Sequence, residues 1–260
     1  MTERTTPWPA GTPCWLDLMT PDIDATRLFY EELFGWHFAS GGEDAGGYLI
    51  AEIDGKPVAG VGPQQPEQSG FPAVWTTYVA TEDAAATAAK ITEAGGNVFM
   101  PPFDVLDIGV MGLAMDPTGA VFGLWQPKTF GGVQLANVAN AWNWDEMMSR
   151  DFARAKQFYA DVFGWTYTDM SGGGFEYATF EVNGNTAGGI GGLPAEVPEE
   201  VPAHWRMYFA VDDADEAVDM VVKLGGSVFS PPQDMPYGRH ADVADPTGAR
   251  FSVIKPTPPD

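Results

Sequence analysis

Apolar and polar positions alternate in short runs along this chain, in an order that is written twice. Cys14, Leu16 and Leu18 alternate with Trp15 and Asp17, so the segment reads as a strand with two different faces. Thr20-Pro21 predicts a helix cap with proline in the first turn, Ile23, Tyr30, Leu33 and Phe34 supply a helically spaced stripe, and Gly35 predicts the stop. Trp36 to Phe38, Tyr48 to Ile53 and Pro57 to Val61 read as short strands, with Asp54-Gly55 as the hairpin turn between the last two. A loop rich in Pro, Gln and Gly, Gly62 to Pro72, leads to a strand at Trp75 to Ala80. An alanine-rich helix follows from Asp83 to Ala94, closed by Gly95, and then strands at Asn97 to Met100, Val110 to Met115 and Ala120 to Trp125.

The second half repeats the first. Phe29-Tyr30 before Phe34-Gly35-Trp36 returns as Phe158-Tyr159 before Phe163-Gly164-Trp165, an offset of 158 − 29 = 129. Trp15-Leu-Asp pairs with Trp144-Asp-Glu, and Asp116-Pro-Thr-Gly119 with Asp245-Pro-Thr-Gly248, at the same offset. Between them, Gly95-Gly96 matches Gly225-Gly226 at 130. A repeat of this length predicts two similar domains rather than a solenoid. The expectation is an α+β protein of four βαβββ units in two pairs, with domains at 10–127 and 139–256 and a connection at Gln126 to Ala141.

Composition narrows the partners. Net charge is −23 with no Lys/Arg cluster, which argues against nucleic acid and anionic membrane. Cys14 is the one cysteine, so neither an intramolecular disulfide nor a cysteine-rich metal site is expected. Met1 to Pro13 has no basic segment followed by an apolar one, and no apolar run reaches membrane-spanning length. The expected location is cytoplasmic, with non-classical export leaving no mark of this kind.

The strand–helix opening with Phe-Tyr before Phe-Gly-Trp, the Gly-Gly pair and the closing Asp-Pro-Thr-Gly resemble the vicinal oxygen chelate superfamily, from about Thr12 to Lys255. That superfamily holds glyoxalase I, extradiol dioxygenases, fosfomycin-resistance enzymes and metal-free bleomycin-binding proteins. The chain is most similar to its two-domain actinobacterial glyoxalase-like members, some called hydroxylases and one a mycobacterial secreted antigen. The resemblance implies that each pair of units curls its strands around a cleft. In metal-dependent members a set of two histidines and one carboxylate sits there, at positions that fall on Trp15, Thr76 and Gly123 in the first half and on Trp144, Arg206 and Ser252 in the second. Indole, guanidinium, hydroxyl and glycine are not ordinary ligands for a divalent ion, so no metal and no other cofactor is expected.

Face alternation places Asp17, Tyr78 and Trp125 beside Trp15 and Thr76 in the first cleft. It places Trp142, Glu146, Tyr208, His240, Asp242 and Arg250 beside Trp144, Arg206 and Ser252 in the second. Trp15 and Trp144 either stack on a ligand or fill the space the ion and substrate would take. Arg206 either pairs structurally with Glu146 or Asp242, or grips an anionic or carbonyl oxygen. His240 either acts as a general base or is simply hydrogen-bonded. Glu146, Arg206, Tyr208 and His240 are the catalytic candidates, and Trp15, Asp17, Thr76, Tyr78, Trp125, Trp142, Trp144, Asp242 and Ser252 are the binding candidates. Asp116 and Asp245 are read as turn formers.

Two leading functions follow. One is a binding or resistance protein that holds a small aromatic or carbonyl-containing molecule between tryptophans. The other is a metal-independent lyase, isomerase or hydroxylase-type enzyme. A metal-dependent glyoxalase or dioxygenase is the alternative, and a homodimer is left open.

Overall fold

The computed structural model describes residues 1–65, 70 and 72–257; part of the Gly62 to Pro72 loop therefore lies outside the described residues. The first half contains β1 (Thr2–Glu3), β2 (Pro13–Thr20), α1 (Ile23–Phe34), β3 (His37–Ser40), β4 (Leu49–Ile53), β5 (Lys56–Pro63), β6 (Val74–Ala80), α2 (Ala84–Glu93), β7 (Asn97–Val105), β8 (Gly109–Met115) and β9 (Val121–Pro127). After β10 (Leu135–Ala136) come β11 (Trp142–Ser149), α3 (Phe152–Phe163), β12 (Thr166–Asp169), β13 (Tyr177–Val182), β14 (Asn185–Gly192), β15 (His204–Ala210), α4 (Ala214–Lys223), β16 (Ser227–Met235), β17 (Gly238–Ala244) and β18 (Arg250–Pro256). Each half forms one eight-stranded sheet, in the order β3-β4-β5-β2-β6-β9-β8-β7 and β12-β13-β14-β11-β15-β18-β17-β16. The antiparallel β2–β6 and β11–β15 pairs lie at the centres and join the two units of each half.

Local chemistry explains most boundaries. Gly35 and Gly164 end α1 and α3 in the left-handed conformation, at φ +68 and +72. The N-cap differs from the Thr20-Pro21 expectation. Asp22 accepts from Ala25 N at 3.0 Å, while the Thr20 hydroxyl lies 2.7 Å from that of Thr26. Carboxylate is a good cap and the turn begins two residues later than the proline signal implies. β7 also runs past Met100 through Pro101-Pro102 to Val105. It is the sheet edge, its pairing with β8 shifts register at that point, and edge strands tolerate residues that lack an N–H.

The apolar cores do not follow the sheets. Phe29, Tyr30 and Phe34 of α1 pack with Trp75 of their own half and with Phe209, Val218, Val221 and Phe251 of the other. Reciprocally, Phe158, Tyr159 and Val162 of α3 pack with Ile91, Phe122 and Leu124. Each core thus joins the first unit of one half to the second unit of the other. The repeated motifs meet here. Trp75 Nε1 donates to Tyr30 Oη at 2.9 Å, which donates to Asp245 Oδ2 at 3.3 Å. Trp205, Tyr159 and Asp116 repeat this at 3.0 and 3.1 Å. The other oxygen of each Asp accepts from its own Pro-Thr-Gly turn, so one carboxylate forms the turn and clamps the halves together.

Candidate functional site

The two sheets carry matching polar clusters on their central strands. In the first half, β2 presents Trp15 and Asp17 on one face, opposite Tyr78 and Thr76 of β6. Tyr78 Oη donates to Asp17 Oδ2 at 3.1 Å, Tyr48 Oη donates to the same oxygen at 3.4 Å, and Trp15 Nε1 donates to Tyr48 Oη at 3.0 Å. Asp17 is 6% exposed and its Oδ1 has no hydrogen-bond partner. Burial pushes its carboxyl up to about 7, against the pull of the bonds from Tyr78 and Tyr48.

This cluster is closed by its own chain. The Phe130 ring stands edge-on to Trp15, with centroids 4.8 Å apart, and to Trp125 at 6.0 Å. Trp125 Nε1 donates to the Phe130 carbonyl at 2.9 Å, which fixes the plug from both ends. Trp15, Tyr78 and Trp125 are all buried.

In the second half the pattern is the same and the chemistry is not. Tyr208 Oη donates to Glu146 Oε1 at 2.7 Å, Tyr177 Oη donates to Glu146 Oε2 at 3.1 Å, and Trp144 Nε1 donates to Tyr177 Oη at 3.2 Å. Arg206 takes the place of Thr76, 3.6 Å from Glu146 and 3.8 Å from Asp242. Ser252 Oγ donates to Asp242 Oδ1 at 2.6 Å, and the His240 ring lies 6.1 Å from that of Tyr208. Burial, and then the Glu146 charge, hold the Tyr208 phenol well above its ordinary range, so it remains a protonated donor. Burial lowers the Arg206 guanidinium, but Tyr208, Glu146 and Asp242 together raise it beyond its ordinary value. Trp144 is partly exposed, whereas Trp15 is buried, and Arg206 retains 27% of its side-chain surface. Position 130 + 129 is Pro259, without an aromatic ring and outside the described residues.

Of the residues expected to share the second cleft, Glu146, Arg206, Tyr208, His240, Asp242, Ser252 and Trp144 come together. Trp142 does not. A register shift between Trp142 and Trp144 turns it to the opposite side of β11, where its indole donates to Asp145 Oδ1 at 3.1 Å. Arg250 also departs, stacking over Phe229 at 3.7 Å. The sequence reading missed Tyr48, Tyr177 and Phe130. Tyr48 stands just before β4 and Tyr177 opens β13, and both reach across the neighbouring strand, where a Cβ on Gly60 or Gly189 would overlap their hydroxyls. Their signal was available, because 177 − 48 is again 129.

The donor set does not fit the ion that the resemblance implies. In the second half a guanidinium already lies between the two carboxylates, and in the first half one carboxylate faces phenols and indole. Among the described residues no three His, Cys, Asp or Glu side chains are grouped to hold a metal.

Comparison with known proteins agrees with this architecture. A family model described as the Glyoxalase/Bleomycin resistance protein/Dioxygenase superfamily matches residues 14–124 and 142–253. The chain is 40% identical over 253 residues to the putative glyoxylase CFP32 of Mycobacterium tuberculosis, across 95% of this chain and 96% of that protein. It is 37% identical over 258 residues to the anthracycline biosynthesis protein DnrV of Streptomyces peucetius, across 94% and 93%. The Mn(II)-bound glyoxalase from Novosphingobium aromaticivorans shares the fold, with a TM-score of 0.64, 17% identity and coverage of 97% of this chain and 83% of that one.

Proposed function

Because the chain belongs to the glyoxalase/bleomycin resistance protein/dioxygenase superfamily, we propose that it binds a flat aromatic, oxygen-bearing small molecule in the cleft of its second half, without a metal. The supporting observation is the difference between two copies of one site. In the first half Phe130 supplies an aromatic ring between Trp15 and Trp125. In the second half the matching Trp144 is partly exposed and lies beside a charged cluster. A ligand ring takes the place of Phe130, against Trp144, and its carbonyl or phenolic oxygen takes a hydrogen bond from Arg206. The relative named for anthracycline biosynthesis is consistent with such a ligand, since anthracyclines are fused, oxygenated aromatic rings.

Glu146 accepts two phenolic hydrogen bonds and faces Arg206, so it serves as a fixed anchor for these groups. His240 is the candidate for proton transfer if the bound molecule also reacts. The test is titration of the full chain with a hydroxyanthraquinone, followed by tryptophan fluorescence and calorimetry. One site per chain is expected, weakened about tenfold or more by Trp144→Ala and by Arg206→Met and unaffected by Asp17→Asn, since one charge-assisted bond or stacked ring is worth about 1–3 kcal/mol. Failure of the probe to bind, or binding that ignores both substitutions, would overturn the proposal.

A further inference from the structure

The repeat carries a second comparison, beyond the aromatic ring. After Phe130, the first-half connection continues through a groove along β2 and β5. Val133 N donates to the Cys14 carbonyl and Gln134 N to the Pro57 carbonyl, both at 2.8 Å. Trp8 Nε1 closes the same segment by donating to Val133 O at 2.8 Å. Gly132, at φ +98, approaches so closely that a Cβ would overlap the Cys14 carbonyl. Ring and main chain therefore form one docked unit, an aromatic head followed by an arm with two N–H donors.

The matching positions in the second half are 14 + 129 = Asn143 and 57 + 129 = Thr186. Both line a groove of about 470 Å³, together with Arg4, Trp8, Trp142 and Trp144. Trp144 lines the groove and Glu146 and Arg206 do not, so the groove lies beside the cleft and shares the Trp144 side chain with it. Its far wall is built rather than incidental. The N-terminal arm is held by pairing of Thr2 with Ala136 and Glu3 with Leu135, and Trp8 packs edge-on against Trp142 at 5.5 Å. The Arg4 guanidinium sits 4.7 Å over Trp8, and its buried Nε has no hydrogen-bond partner.

We infer that this groove is the second part of the ligand site, and that the ligand is an aromatic molecule bearing a neutral arm rich in hydrogen-bond donors. The inference rests on the proposed aromatic site in the second half. By the repeat, the Asn143 and Thr186 carbonyls stand where the Cys14 and Pro57 acceptors stand and ask for donors, whereas the Arg4 guanidinium in the groove wall asks for an acceptor. Hydroxyl and amide groups meet both demands; a carboxylate would face the carbonyls with like polarity and an ammonium would face the guanidinium with like charge. Trp8 and Trp142 offer apolar faces on which either a sugar ring or a peptide unit can rest.

The test uses the full chain and three probes measured by calorimetry: a hydroxyanthraquinone, its O-glucoside, and the same ring carrying a glycylglycinamide arm. At least one armed probe is expected to bind about tenfold more tightly than the bare ring, as two further hydrogen bonds would give. A gain for the glucoside assigns a hydroxyl arm and a gain for the amide a peptide-like arm. Thr186→Trp, an exposed position that fills the groove, should erase the gain and leave the bare ring unaffected. Trp8→Ala, checked for folding by its melting curve, should do the same. Equal affinity for all three probes, or a gain that survives Thr186→Trp, overturns the inference while the aromatic site stands. Loss of all binding, the bare ring included, overturns both.

Discussion

Replacing Asp17 by Asn tests what burial does to a carboxyl caught between two phenols. The folded chain raises this group from 3.8 to about 7, because its charged form has lost water and one oxygen has gained no partner. A raised folded value means that the native state binds more protons than the unfolded one between those two pH values. Stability from this group is therefore greatest below about pH 4, falls as pH rises toward 7, and is level above. Roughly three pH units at 1.36 kcal/mol each set a ceiling of about 4 kcal/mol, and relaxation around the charge brings the expectation to about 2–4 kcal/mol. Asn keeps an oxygen for Tyr48 and Tyr78 and cannot ionise, so it mimics the protonated form. Urea unfolding at intervals between pH 4.5 and 8.5 should give curves for wild type and Asp17→Asn that converge at the acid end. The variant should be more stable at pH 8, by about 5–10 °C in a melt. The difference between the proteins isolates this one site, since every other group titrates in both. Parallel curves, or a variant less stable at pH 8, would refute the account of a carboxyl held out of water.

The remaining predictions concern the clamp, the plug and the charged cleft. Tyr30→Phe and Tyr159→Phe should each cost about 1–2 kcal/mol, nearly equally and additively in chemical denaturation, because each removes one indole–phenol–carboxylate relay between the halves. Phe130→Ala should cost about 2–3 kcal/mol and add a second, weaker binding event to the aromatic titration; unchanged stoichiometry would argue that the plug does not occupy a ligand's place. Arg206→Met leaves Glu146 and Asp242 without their shared cation. It should cost about 1–3 kcal/mol in chemical denaturation, because two partly buried acids lose their counter-charge, and a variant as stable as wild type would count against the pairing.

The sequence determined a good deal of this protein. Alternation at Cys14 to Leu18 set both faces of a central strand, and glycines at 35 and 164 set helix ends, because these signals act within a few residues of themselves. The 129-residue repeat made the tandem architecture legible, and face parity collected Glu146, Arg206, Tyr208 and Asp242 correctly, since side chains two apart on a strand share a side. Trp142 failed by the same logic, because one extra residue in a bulge reverses parity and no local pattern marks where it falls. Only the tertiary structure decided how the halves join. Their cores cross, since a helix face chooses its partner by packing across space rather than along the chain, and nothing in the α1 stripe names Phe209 or Phe251 as its neighbours. Only the tertiary structure set Phe130 within one cleft, because the connection that carries it has no periodicity of its own and gains its place from Trp15 and Trp125. The two copies share one pattern of strands; what distinguishes them is the Phe130 ring packed on Trp15 in one and the Arg206 guanidinium between Glu146 and Asp242 in the other.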